Sequence, residues 1–462
     1  MIKRVLKMKP ILIKDNKSYD KSKLDAIPSL TNQVLDKTLN QLEQEGLFIF
    51  PNIKDNSDDL CGEQMILQSF NNNYYSSNVM GFLGFGEEQL FIQSRFSVVD
   101  EETNRDYFFQ YLLEKVLELP NITNFDTFSS QSEQIFNLYM FLFPLYLKKA
   151  MRKGFFKTYV WRKYNKSNVQ GIVDVKAHIQ VNTPFVGNVA FKQREFSFDN
   201  DMNQLIRHTI EYVKNQSFGS VIVAKIKNES NKIIEATPTY EYFDRNKVIS
   251  NNKQNTIRHA YYYEYRVLQR LCLMILQHQK HNIGFGSNHI NGILFDGAWL
   301  WEEYINKLIG AGFYHPKNKS RVGAQQLFSK ESGYQVGLIY PDFISKNNDN
   351  RIIADTKYKP IKNIDSKDYL QVLAYMFRFN AKKGFYIYPE SDSAVNPSLQ
   401  MYLNEGTTFE QNVNHQEDIV ITKLGLIIPQ RTDLTYSEFY RAMQSNENRL
   451  IKSILNDKID FF

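Results

Sequence analysis

The stretch Tyr340–Lys359, YPDFISKNNDNRIIADTKYK, decides how the rest of the chain is read. Val336-Gly337-Leu338-Ile339-Tyr340 reads as a buried strand, Lys346-Asn347-Asn348-Asp349-Asn350 as a turn, and Arg351-Ile352-Ile353-Ala354 as the start of a return strand. A hairpin of this kind sets Asp342 beside Asp355. Alternation along the return strand projects Asp355 and Lys357 from one face and Thr356 from the other. Two carboxylates on neighbouring strands can hold a hard cation through oxygen, and the nearby amine can orient or deprotonate a water. This combination suits phosphodiester hydrolysis. The same residues without a metal would form a structural ion-pair network, and spacing alone leaves both readings open.

The flanks add weight. Leu300-Trp301-Glu302-Glu303-Tyr304-Ile305 opens a helix whose apolar stripe holds Leu300, Tyr304 and Leu308, with Glu302 at its border. Asp368–Tyr375 is a second helix with Gln371 and Tyr375 on one face, and Gly384–Pro389 is a strand. Another Asp-x-Lys, Asp174-Val175-Lys176, has no upstream Pro-Asp partner and reads as a surface strand with solvated charges.

The order of acidic helix, strands, Pro-Asp, Asp-x-Lys, helix with Gln and Tyr, and strand resembles the PD-(D/E)xK nuclease core. More narrowly, LWEEYI, YPDFI, IIADTKYK, YLQVLAY and GFYIYP, with QGIVD and FSFDNDMNQLI upstream, resemble the McrC family, the nuclease subunits of McrBC-type restriction systems. The likeness is good over residues 160–390 and loose over the first 130. It implies an active site of Glu302, Asp342, Asp355 and Lys357. Magnesium or manganese would sit on Asp342, Asp355, Glu302 and the Thr356 carbonyl, with Gln371 and Tyr375 as helpers. Asp355 stands where many such nucleases have Glu. The resemblance further implies modified or foreign DNA as substrate, a prokaryotic cytoplasmic setting, and a separate McrB-type AAA+ GTPase hexamer that docks on the amino-terminal domain.

Composition permits this reading without demanding it. Apolar residues make up 42% and charged residues 23%, and 56 basic against 50 acidic side chains leave a formal charge of +6. That excess allows nucleic-acid binding, but local patches matter more than the total. Two cysteines, Cys61 and Cys272, make neither a disulfide framework nor a thiolate metal site. His278 and His281 have a spacing that suits zinc but lack completing ligands. The basic opening MIKRVLKMKP has no uninterrupted apolar core, and no run is long enough to span a membrane. The glycines at 81, 84 and 86 do not form G-x-x-x-x-G-K-[ST], so no nucleotide is expected on this chain itself.

The expected fold is a multidomain α+β or α/β chain. Residues 1–130 form a strand-rich partner-binding domain, and 131–285 a helical, basic middle region. Residues 286–430 form a PD-(D/E)xK-like mixed sheet flanked by helices, and 431–462 a terminal helix packed on the outside. The aromatic helix around Ile135–Leu147 reads as core. Lys148, Lys149, Arg152, Lys153, Lys157, Arg162, Lys163 and Lys166, with no acid among them and aromatics interleaved, are candidates for DNA phosphates. Two rival functions are a non-cleaving module that anchors and stimulates an AAA+ partner, and a stand-alone nuclease of the same fold.

Overall fold

Gly86-Glu87 turns the chain between the strands Val79–Phe85 and Glu88–Gln93, with Gly86 at φ +61. This hairpin is the middle of a mixed five-stranded sheet ordered Ile11–Lys14, Glu88–Gln93, Val79–Phe85, Asn291–Asp296, Phe48–Phe50. Gly81 is required where Asn291–Asp296 pairs with it, because a Cβ there would lie 2.1 Å from the Ile293 carbonyl oxygen.

The computed structural model describes residues 10–51, 63–98, 106–118, 131–216, 218–277, 290–316, 323–391 and 397–455. The opening basic segment, Cys61, His278 and His281 lie outside them. The chain divides into two compact units, Met1–Thr127 with Gly284–Phe462, and Phe128–Ile283. It is mixed α/β, and the residues before and after the middle region fall in one unit. Residues on either side of the middle region share one sheet, because the wholly apolar Ile293-Leu294-Phe295 needs neighbours on both edges. It finds them in Val79–Phe85, antiparallel, and Phe48–Phe50, parallel.

The first unit holds a second mixed sheet ordered Phe313–Tyr314, Phe343–Ser345, Ile352–Thr356, Lys383–Glu390, Asn414–Ile427, Ser398–Glu405. Its three central strands are parallel to one another. The helix Ser366–Arg378 covers it with Val372, Tyr375 and Met376 in a core with Ile353, Tyr386 and Ile421. The terminal helix Tyr436–Leu455 packs through one face, on which Phe439, Met443 and Leu450 are buried. Its buried Glu447 accepts from Tyr111 at 2.6 Å and Tyr304 at 2.7 Å, tying three helices of this unit together.

The second unit packs the helices Gln131–Met151, Asp201–Lys214 and Tyr263–Gln277, beside an antiparallel sheet of Thr158–Lys166, Val189–Ser197 and Ile172–Val173. Tyr139, Met140 and Phe143 are core, as the aromatic helix predicts. Cys272 is buried, and burial pushes its thiol up to about 12, so it is unreactive packing. Among the described residues no helix is long and apolar enough to cross a membrane.

His208, on the helix Asp201–Lys214, is buried against the Tyr240 ring, and among the described residues neither ring nitrogen has a hydrogen-bond partner. Burial first, then Arg245, pushes it down from 6.5 to about 4. The unfolded chain therefore binds this proton first as pH falls. Stability present above about 6.5 is lost down to about 4, by on the order of 2–3 kcal/mol. Denaturant titrations between pH 4 and 8 should show this loss in the wild type and its removal in His208→Leu.

Candidate active site

The strand Ile352–Thr356 is buried from Ile352 to Asp355 and lies between Phe343–Ser345, antiparallel, and Lys383–Glu390, parallel. Phe343 pairs with Ala354 and Ile344 with Ile353, so one step further along the register Asp342 faces Asp355. Thr356 fixes the Asp342 carboxylate: its backbone N–H donates to Oδ2 at 2.7 Å and its hydroxyl at 2.8 Å. The first arm of the hairpin differs from the sequence reading. Gln335–Ile339 is not buried and pairs with Gln325–Ser329 as a separate two-stranded ribbon. Gly337, at φ +76, interrupts that run, and the buried arm begins only after Pro341.

Asp355 is 1% exposed. Burial, then the neighbouring Asp342 charge, pushes its carboxyl up to about 7, against the pull of Lys357. Lys357 Nζ lies 2.6 Å from Asp355 Oδ2 and 3.6 Å from Asp368 Oδ1, and donates to Gln371 Oε1 at 3.2 Å. Burial alone would lower the Lys357 pKa, but Asp355 and Asp342 outweigh it and raise it. The two carboxylates thus favour the ammonium form of Lys357. Gln371 Nε2 in turn donates to Tyr375 Oη at 2.8 Å, so the helix pair anticipated from i, i+4 spacing braces the lysine.

Asp368 and Lys359 complete this cluster and were missed from the sequence. Lys359 Nζ is 2.7 Å from Asp368 Oδ2, which also accepts the Asp365 N–H at 3.0 Å. The signal was there to use: Asp365-x-x-Asp368 is a reciprocal capping box at the start of the helix. Glu302 sits on the helix Gly297–Ile309, capped by Asp296, which accepts from Ala298 N–H at 2.9 Å. His315 Nε2 lies 3.7 Å from Oε1 of both Glu302 and Glu303, while its Nδ1 is 2.9 Å from the Asp342 carbonyl oxygen. His315 therefore ties the Glu302 helix to the Asp342 loop.

Among the described residues no group of three or more His, Cys, Asp or Glu could hold a metal ion. The donor set on hand is the Asp342 and Asp355 carboxylates with nearby backbone carbonyls. That set fits magnesium, which keeps several waters and takes only one or two carboxylates from protein. Asp355 Oδ2 supports the fit: it is buried, and it takes its counter-charge from the Lys357 ammonium at 2.6 Å, a contact that a divalent ion could replace. Asp174 is no second copy of this site. It caps the helix Val175–Val181, accepting from Ala177 N–H at 3.2 Å, and pairs with Lys192 at 2.8 Å.

In the second unit the basic stretch is split by structure. Lys148 and Lys149 end a helix, Arg152 and Lys153 lie just beyond it, and Lys153 approaches Glu264 at 3.8 Å. Arg162 is held by Asp199 at 3.0 Å and faces a polar cleft of about 720 Å³ also lined by Trp161, Asn252 and Gln269. Lys157 lies over the Phe196 and Phe198 rings, and Lys166 over Tyr164. On the strand pair, Tyr159 faces Phe196, Trp161 faces Arg194 and Lys163 faces Lys192. One face thus carries three aromatics, each more than half exposed, among three cations. Lys192, Arg194 and Phe196 were missed because their partners lie about thirty residues earlier, beyond the reach of a local charge count.

The family profile described as "McrBC 5-methylcytosine restriction system component" matches residues 75–389. No curated protein matches the chain significantly. Among solved structures, the chain is similar to the refined half-complex from the tetradecameric assembly of Thermococcus gammatolerans McrB AAA+ hexamers with bound McrC. There the TM-score is 0.44 and the identity 13%, over 95% of this chain and 100% of the other. The cryo-EM structure of the Thermococcus gammatolerans McrBC complex gives 0.30 at 13% identity, over 65% and 87%. Family membership rests on the profile.

Thr356→Val removes one of the two donors on Asp342 Oδ2 and keeps the shape. Half-saturation by magnesium should rise about tenfold, with Thr356→Ser close to wild type. Calorimetric titration of the metal checks this, and an unchanged affinity in the Val variant would show that the hydroxyl does not orient Asp342.

Proposed function

The chain belongs to the McrBC family of restriction-system components, and from that premise we propose that it is the subunit that cuts DNA. The observation that carries the reading is the register-enforced pair Asp342 and Asp355 with Lys357 2.6 Å from the second. In this reading residues 286–430 are a PD-(D/E)xK endonuclease domain. Asp342, Asp355 and the Thr356 carbonyl would hold magnesium or manganese, with Glu302 approaching the shell from its helix. When bound, the metal would offset charge on the phosphate oxygens and sharpen the acidity of a bound water.

The chain's own residues supply the rest. Lys357 orients or deprotonates the attacking water. Gln371 and Tyr375 hold the lysine from the second helix, and Asp368 with Lys359 fixes the start of that helix. The substrate is modified or foreign DNA. Cutting awaits an McrB-type AAA+ GTPase hexamer, with which residues 1–130 dock and whose hydrolysis they stimulate. The Tyr159, Trp161, Lys163, Arg194 face, together with Lys148, Lys149, Arg152, Lys153, Lys157 and Lys166, tracks the DNA backbone.

Cleavage of methylated plasmid with magnesium tests the proposal, using the chain alone and then with the partner and GTP. Cutting should need partner and nucleotide, and Asp355→Ala or Lys357→Ala should lower it at least about a hundredfold with DNA binding intact. Cutting that survives both substitutions removes these residues from the site. Stimulated GTP hydrolysis without cutting would instead make the chain a non-cleaving module, and cutting by the chain alone a stand-alone nuclease. Trp161→Ala combined with Arg194→Ala should weaken DNA binding about tenfold and lower the salt slope by about one, read by fluorescence anisotropy across salt concentrations. An unchanged slope would take this face away from DNA.

A further inference from the structure

We infer that Tyr358 is a positioning residue for Lys357, holding the end of the site strand against a buried polar cluster built from residues 15–106 of the chain. The inference rests on the nuclease reading above and adds to it a residue and a mechanism of alignment.

Consecutive residues at the end of a strand point opposite ways. Lys357 faces the carboxylates, and Tyr358, 6% exposed, faces away from them into the first unit's interior. There its hydroxyl is 2.7 Å from Ser94 Oγ and 3.3 Å from Met80 Sδ. The Arg95 guanidinium lies over its ring, 4.7 Å from the centroid, and Phe96 meets it edge-on at 5.1 Å. The ring is thus gripped on its face, its edge and its polar end.

What grips it is itself fixed. The fully buried Asp15 accepts from Arg95 Nε at 2.9 Å and lies 2.7 Å from Arg95 Nη2, and it also accepts the Arg95 N–H. Asp106 accepts from Ser94 N–H at 2.9 Å and from the Ser97 hydroxyl. Arg95 also donates to Asn78 Oδ1, while the Asn78 backbone carbonyl accepts Gly297 N–H at 3.0 Å and its side-chain Nδ2 reaches the capping Asp296 at 3.4 Å. The cluster therefore touches both the residue after Lys357 and the first turn of the Glu302 helix. The two are joined again at one acceptor: the Ile387 carbonyl takes Lys357 N–H at 3.0 Å and Trp301 Nε1–H at 3.1 Å. Packing leaves no slack between them, since a Cβ on Gly297 would lie 2.7 Å from Tyr358 Cε1.

A tyrosine held at both ends fixes the backbone at 358, and with it the direction in which Lys357 leaves the strand. Misplacing a catalytic amine by about 1 Å costs up to about a hundredfold in rate. The network thereby makes alignment of the site depend on the amino-terminal part of the chain.

The test is single-turnover cleavage of methylated DNA by the full chain with its AAA+ partner and GTP. Wild type, Lys357→Ala, Tyr358→Phe and Tyr358→Leu are compared. Tyr358→Phe keeps the ring under Arg95 and should stay within about threefold of the wild-type rate constant. Tyr358→Leu should lower the rate constant about 10- to 100-fold, with half-saturation by DNA and by magnesium within about twofold. Partial unfolding would lower the amplitude of the turnover and leave its rate constant alone, so an amplitude loss at wild-type rate overturns the inference, as does a Leu variant indistinguishable from wild type. Should the Leu variant not fold, Gly297→Ala presses on the same ring from the other side. A reduced rate constant there supports the inference and an unchanged one overturns it. If the wild-type chain does not cut, the nuclease reading falls and this inference with it; wild-type cutting abolished by Lys357→Ala but untouched at Tyr358 sinks this inference alone.

Discussion

A carboxylate buried beside a second carboxylate is the constraint on which the site depends. Asp355 loses its hydration inside the sheet and meets the Asp342 charge across one antiparallel step, so its ionised form needs a cation. Lys357 supplies one from two residues along the same strand. Its ammonium is shared with Asp368 and Gln371, which spreads the positive charge over a small polar nest. A divalent ion between the two carboxylates would meet the same electrostatic need more fully and free the lysine to face a phosphate.

The sheet imposes this arrangement because its register leaves no alternative. Slipping the Phe343–Ser345 pairing by one residue would turn Phe343 and Ser345 to the wrong faces and separate Asp342 from Asp355. On the far side, parallel pairing with Lys383–Glu390 fixes Asp355 opposite Tyr386 and Thr356 opposite Ile387. The Ile387 carbonyl then holds both the Lys357 backbone and Trp301 of the Glu302 helix. Strand, helix and lysine are therefore located by one rigid frame.

The sequence was most legible where the signal is local. Period-two alternation placed Asp355 and Lys357 together, and helical spacing placed Gln371 with Tyr375; the structure brings these residues and Asp342 into one cluster. It was least legible where pairing is long-range. Asn291–Asp296 reads locally as any apolar strand, and nothing in its neighbourhood tells that its partners are Val79–Phe85 and Phe48–Phe50. Val336–Tyr340 reads as the buried arm because it is apolar. The short Phe343–Ser345, only three residues, fills that place instead. Asp174 reads as a strand residue because a helix of seven residues with three valines or isoleucines has the composition of a strand, and its N-cap role shows only in the hydrogen bond from Ala177.

The claim that Asp342 and Asp355 form a metal-dependent centre for phosphodiester cleavage is tested most directly by anomalous diffraction from crystals of the chain with DNA and manganese. The account predicts an anomalous peak beside the Asp342 and Asp355 carboxylates, lost in Asp355→Asn. Manganese bound only elsewhere, or Lys357 still paired with Asp355 and no ion between the aspartates at saturating metal, would contradict it and leave the cluster as a structural ion-pair network.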